Sequence, residues 1–145
     1  MVSKEVLKQF SDIKKEIVEV EFKIDSLEKY IAKMEAEGSV VDTVSGGNGG
    51  IQHFKIEGFP YPEYSKKKTL LLTRKSILEQ LRMELLEQEN AVEVFITTIE
   101  NSYIRRIIRM RFLENMKWNQ IADKIGGNNT EDSVKKAFYR FMETA

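Results

Sequence analysis

Nine apolar residues near the start of the chain recur at alternating intervals of four and three: Val6, Phe10, Ile13, Ile17, Val20, Ile24, Leu27, Ile31 and Met34. An α-helix carrying this spacing keeps a narrow apolar line on one side, and a left-handed supercoil holds that line against a partner. The pattern predicts one helix over residues 3–37. Val6, Ile13, Val20, Leu27 and Met34 fill one position of the repeat, and Phe10, Ile17, Ile24 and Ile31 fill the other. A line this narrow is covered by a single helix. Two sources of that helix stay open: a later segment of the chain, or a second copy in a parallel dimer.

The pattern stops at residue 38. Gly38 is expected to close the helix in a left-handed cap. Residues 45–50 read Ser-Gly-Gly-Asn-Gly-Gly, which disfavours regular structure. A phosphate-cradling loop needs a Lys followed by Ser or Thr, and here His53 and Phe54 stand nearby instead. Residues 51–58 suit a short strand. Residues 59–64 should be extended, because Pro60 and Pro62 push their predecessors out of the helical region.

A second long helix is expected over residues 65–89. Leu71, Leu78, Leu81, Leu85 and Val92 keep the three-four spacing, with Arg74 and Gln88 interrupting it. Lys66, Lys67 and Lys68 sit where the helix dipole disfavours cations, so they read as a solvated start. Two helices with matching apolar lines predict an antiparallel hairpin. Residues 90–100, with Val92, Phe95, Ile96 and Ile99 inward, form a shorter helix or prolong the second. The expected fold is all-α. A hairpin or coiled coil over 1–89, with a Gly/Pro-rich insert at 38–65, precedes a domain over 90–145.

Several function classes lack their residues. Cysteine is absent, histidine occurs once, and no pair of carboxylates stands out from surface charge. No enzyme, cofactor or metal is therefore expected. There is no apolar leader after Met1 and no run near the ~18 apolar residues of a membrane helix, so a cytoplasmic location without membrane contact is expected.

Net charge is zero, but its distribution is uneven. Residues 101–145 hold nine Lys or Arg against five Asp or Glu, while residues 1–37 hold seven against nine. The basic end also carries a helix-turn-helix layout. An arginine-rich helix over 102–114, with Ser102 as a candidate cap, turns Ile104, Ile107, Ile108 and Phe112 inward. A short helix over 117–125 follows, with Trp118, Ile121, Ala122 and Ile125 inside, and small Ala122 permits a close crossing. Gly126 supplies the turn. A last helix over 130–142 is capped by Asn129 or Thr130, and turns Val134, Ala137, Phe138 and Phe141 to one face. This layout braces one helix for insertion into the DNA major groove.

Candidate DNA contacts follow from that geometry. Asn128, Asn129 and Ser133 lie early, where side chains reach base edges. Lys135, Lys136, Tyr139 and Arg140 are placed for base or phosphate. Arg105, Arg109 and Lys117 are candidates for phosphate contact from the two preceding helices. An excess of four positive charges is modest, so a homodimer or higher oligomer is expected to add contacts.

The run Arg109-Met-Arg-Phe-Leu-Glu-Asn-Met-Lys-Trp-Asn-Gln-Ile-Ala-Asp-Lys-Ile-Gly126, with Ser133 and Val134 beyond it, resembles region 4 of bacterial sigma-70-type factors. The resemblance covers roughly residues 90–142. The whole chain is similar to small regulators of Gram-positive phages and prophages of the ArpU/RinA type, which join a helical N-terminal part to such a domain. That resemblance implies a sequence-specific DNA-binding transcription regulator, with double-stranded DNA and host RNA polymerase as partners. The turn from Gly126 to Val134 is about two residues longer than in common helix-turn-helix motifs, so base-contact positions carry over only approximately. The other sigma regions are missing, which implies an accessory regulator rather than a promoter-melting factor. Two alternatives keep the same parts: a phage DNA-packaging recognition subunit of the small-terminase kind, which would assemble into large rings, and a polymerase-docking module that makes no DNA contact.

Overall fold

The computed structural model describes residues 4–45 and 59–144. Among the described residues the chain is all-α, without strands. Helix α1 runs over Glu5–Ser45 and α2 over Tyr61–Thr97. Helix α3, Ser102–Ile108, passes directly into a π-helical turn at Arg109–Leu113. Helices α4, Trp118–Ile125, and α5, Glu131–Glu143, complete the chain. Two compact units are present: Glu16–Leu81, and Met1–Lys15 together with Arg82–Ala145. The glycines at 46–50 and the strand expected over 51–58 lie outside the described residues.

The unit Glu16–Leu81 is an antiparallel helical hairpin, so the partner of the apolar line is internal here. Ile17, Ile24, Leu27, Ile31 and Met34 of α1 are buried, as are Leu78 and Leu81 of α2, while Val20 is half-buried. Polar contacts fix the direction. The Tyr64 hydroxyl donates to Glu35 at 2.7 Å, and Lys75 pairs with Glu28 at 3.2 Å. Partners thus rise along one helix as they fall along the other.

Two expectations in this unit are corrected. Gly38 does not end α1, which continues to Ser45. A Cβ built on Gly38 would stand 2.6 Å from Cε2 of Phe59, so the glycine serves a close approach by an aromatic ring. The segment 59–64 is not extended throughout, because α2 begins at Tyr61. Pro62 falls in the first turn, where a missing N–H leaves no hydrogen bond broken. The carbonyl of Pro60 accepts from the Tyr64 amide at 2.8 Å.

The second unit has one continuous core. Leu7 and Phe10 share a core with Val92, Phe95 and Ile96 of α2, Ile99 just beyond it, and Ile104, Ile107, Ile108, Trp118, Ile121, Val134 and Phe138. Leu7 is more deeply buried than Val6, the residue expected in the apolar line. Here α1 packs in a many-helix core, which needs a wider apolar stripe than a two-helix contact. Helix α2 runs through Asn90 unbroken. Asn101, not Ser102, caps α3: its side-chain oxygen accepts from the amides of Tyr103 and Ile104 at 2.9 and 3.2 Å. The shorter Ser102 side chain lies one residue too late for that reach.

Candidate nucleic-acid interface

Helix α4 starts where the Lys117 amide donates to the side chain of Gln120 at 2.8 Å, satisfying one of the orphan donors of a helix N-terminus. Its buried side is Trp118, Ile121 and Ala122. The small Ala122 side chain permits the close crossing with α5 that the sequence predicts. Its last turn closes with the Gly126 amide on the Ala122 carbonyl at 2.9 Å.

The turn to α5 is built from glycine conformations and one asparagine. Gly126 has φ 75° and ψ −159°, a combination that side chains avoid, and Gly127 follows at φ 64°. The Asn129 side-chain nitrogen donates to the Gly126 carbonyl at 2.8 Å. Its oxygen accepts from the Tyr103 hydroxyl at 2.7 Å, which ties the turn to α3. Gly126 and Asn129 are therefore held in a defined shape.

A reciprocal cap starts α5. The Ser133 amide donates to Oγ1 of Thr130 at 3.1 Å, and the Thr130 amide donates to Oγ of Ser133 at 2.8 Å. This is the capping-box logic with serine in the third position. Glu131 and Asp132 place negative charge at the positive end of the helix dipole. Val134 and Phe138 are buried. Phe138 lies 5.4 Å from the Trp118 ring and 5.7 Å from Phe112, centroid to centroid.

The outward side of α5 carries Lys136, Tyr139 and Arg140, all exposed. Lys136 pairs with Asp132 at 3.0 Å and half-buried Lys135 with Glu131 at 3.6 Å, each one helical turn apart. Exposed pairs of this kind contribute only about 0.3–0.5 kcal/mol, so a phosphate can compete for either lysine. The Tyr139 ring leans on Trp118, with centroids 6.3 Å apart, and still exposes about half its surface.

The other sequence-predicted contacts divide into two sets. Arg109, Lys117 and Asn128 are exposed. Arg105, Asn129 and Ser133 have polar atoms engaged within the fold. Arg105 donates to the carbonyls of Ile99 and Glu100 at 2.6 and 2.9 Å, closing the end of α2. Asn129 and Ser133 form the turn and cap already described. Arg111 belongs to the arginine surface that the sequence predicts for phosphate contact; its guanidinium lies 4.7 Å from the centre of the Trp118 ring and donates to the Met116 carbonyl at 3.1 Å. Sequence reading gave no role to Lys14. Lys14 donates to the Phe112 carbonyl and, at 2.6 Å, to the Asn115 side chain. The adjacent pair Lys14-Lys15 was a visible charge signal, but its partners lie about a hundred residues away.

Among the described residues, no cluster of three His, Cys, Asp or Glu could hold a metal, and no helix is long and apolar enough to cross a membrane. No protein-family model, curated protein or solved structure matches this chain.

Proposed function

We propose that this chain is a sequence-specific DNA-binding transcription regulator of phage or prophage genes, with α5 as the helix that enters the major groove. The observation that carries the reading is the two-sidedness of α5. Val134 and Phe138 are held in the core while Lys136, Tyr139 and Arg140 face solvent. A helix of thirteen residues, about 20 Å long and about 10–12 Å across with its side chains, can lie along a groove about 12 Å wide. Asn128 and Arg140 suit bidentate contacts to adenine and guanine, while Arg109, Lys117 and Lys136 suit phosphate. The phage and sigma-like assignment follows the resemblance over residues 90–142. Footprinting across prophage DNA at physiological salt tests it: a discrete protected site supports the reading, and protection no better than on random DNA ends it.

The hairpin unit supplies the self-association in this proposal. Val18, Phe22 and Leu72 are 64%, 71% and 69% exposed, large apolar side chains left uncovered. Over residues 16–38 seven acidic residues face three basic ones; over 61–81 two acidic residues face five basic. A second hairpin packed with its α1 on the first one's α2 would bring opposite charge together and cover apolar surface. A homodimer in sedimentation velocity supports this arrangement and argues against a large packaging ring.

One observation favours a second reading, docking on RNA polymerase without DNA contact. Beside α5 lies an apolar groove of about 570 Å³, lined by Phe95, Ile99, Ile104, Ala137 and Phe141, with Arg140 at its edge. Capture of polymerase together with no duplex binding at low salt would select that reading.

A further inference from the structure

Where the start of α1 meets the π-helical turn, a cleft of about 230 Å³ is lined by Ser11, Lys14, Lys15, Arg111, Phe112 and Asn115. Three of the six are cations and none is a carboxylate. Lys14 is the inner wall. Its ammonium donates to the Phe112 carbonyl and the Asn115 side chain, and sits 4.3 Å over the Phe10 ring. Partial burial pushes its pKa below the usual lysine value, with nearby Glu89 pulling the other way. Its hydrogen-bond partners are neutral, so its charge is left without a contacting counter-ion among the described residues. Asn115 takes a left-handed φ of 57°, which asparagine tolerates better than most residues, and this conformation accompanies the bond to Lys14.

The outer wall offers donors to solvent. Lys15 is exposed and forms no ion pair among the described residues. A guanidinium has five N–H donors. One nitrogen of Arg111 bonds Met116 while the planar group lies against Trp118. Trp118 also supports Tyr139, so a single indole separates the cleft from the outward side of α5.

We propose that this cleft binds a phosphate of the DNA backbone, with Lys15 and Arg111 as donors and Lys14 as a half-buried charge behind them. The proposal rests on the reading of α5 as a DNA-contacting helix and adds to it a clamp drawn from the chain's first helix. The cleft fixes position and carries no base information. A structural role for Lys14, closing the carbonyls of the π-helical turn, accounts for its own bonds but gives no use to the donors of Lys15 and Arg111.

The test is fluorescence anisotropy of the full chain on a labelled mixed-sequence duplex, from about 50 to 200 mM salt. Lys14→Gln alters the fold's own bonds, so Lys15→Gln is the primary variant, with Lys15→Arg as rescue and Lys33→Gln as a control for charge loss elsewhere. One lost phosphate contact should lower the salt slope by about 0.9, which makes the affinity loss across that range about three- to fourfold smaller. Lys15→Arg should restore the slope, and Lys33→Gln should leave it unchanged. An unchanged slope in Lys15→Gln, or equal decreases in Lys15→Gln and Lys33→Gln, overturns the cleft while DNA binding stands. Failure of the unmodified chain to bind the duplex at any salt overturns the parent reading and the cleft together.

Discussion

Replacing Gly126 with alanine isolates what the turn between α4 and α5 requires. The backbone there, φ 75° and ψ −159°, lies in a region occupied almost only by glycine. Space is not the obstacle: an added Cβ would find only the Asp123 carbonyl oxygen, at 3.9 Å, which is ordinary contact. The cost is therefore conformational, about 1–3 kcal/mol. Alanine also restricts the unfolded chain, which offsets about 0.4–1 kcal/mol. The net expectation is a loss of about 1–2 kcal/mol. Gly127 makes a comparison, because its φ of 64° is also positive and an added Cβ meets nothing within 4 Å. Gly127→Ala should cost no more than about 1.6 kcal/mol after the same offset. Urea unfolding followed by the fluorescence of Trp118, the chain's one tryptophan, reports on this unit. With a slope of about 2 kcal/mol per molar, the Gly126→Ala midpoint should fall by about 0.5–1 M. An unchanged midpoint, or a larger loss in Gly127→Ala than in Gly126→Ala, would refute the conformational argument.

Four further outcomes are expected. Thr130→Ala and Ser133→Ala should each destabilise by about 1 kcal/mol, and the double variant by less than their sum, because both remove one reciprocal cap; urea midpoints check this. Arg105→Ala should lower stability by about 1–3 kcal/mol, by leaving the Ile99 and Glu100 carbonyls without their donor, while the salt slope of duplex binding stays unchanged. Lys136→Ala should do the reverse: near-native stability, weaker duplex binding and a slope flatter by about 0.9. Phe22→Glu, a change at a 71% exposed residue, should leave the helix content in circular dichroism intact and shift sedimentation toward a monomer.

The all-α fold was legible because a three-four apolar rhythm has one common structural solution. The same rhythm could not choose between an internal partner and a second copy, since both cover the same narrow line. Ties such as Tyr64 to Glu35 across the hairpin decide that choice, and they depend on tertiary approach. A glycine at position 38 suggests a helix end because glycine closes helices more often than it admits an aromatic ring, and the ring of Phe59 comes from beyond a long intervening segment. On α5, 3.6-residue periodicity placed Val134 and Phe138 inside and Lys136, Tyr139 and Arg140 outside, as the structure has them. Periodicity cannot say whether an outward or flanking polar atom is already engaged. Asn129 looked available to a base, but its amide bonds Gly126 and Tyr103. The cleft of Lys14, Lys15 and Arg111 joins the first helix to the π-helical turn, a juxtaposition no local pattern contains.

The most direct measurement is selection of bound duplexes from a randomised pool by the full chain at about 0.15 M salt, repeated with Arg140→Ala. The account predicts enrichment of a defined site by the unmodified chain, with that enrichment weakened in the variant. No enrichment over the starting pool, or the same site enriched equally well by Arg140→Ala and the unmodified chain, would contradict the assignment of α5 as the reading helix.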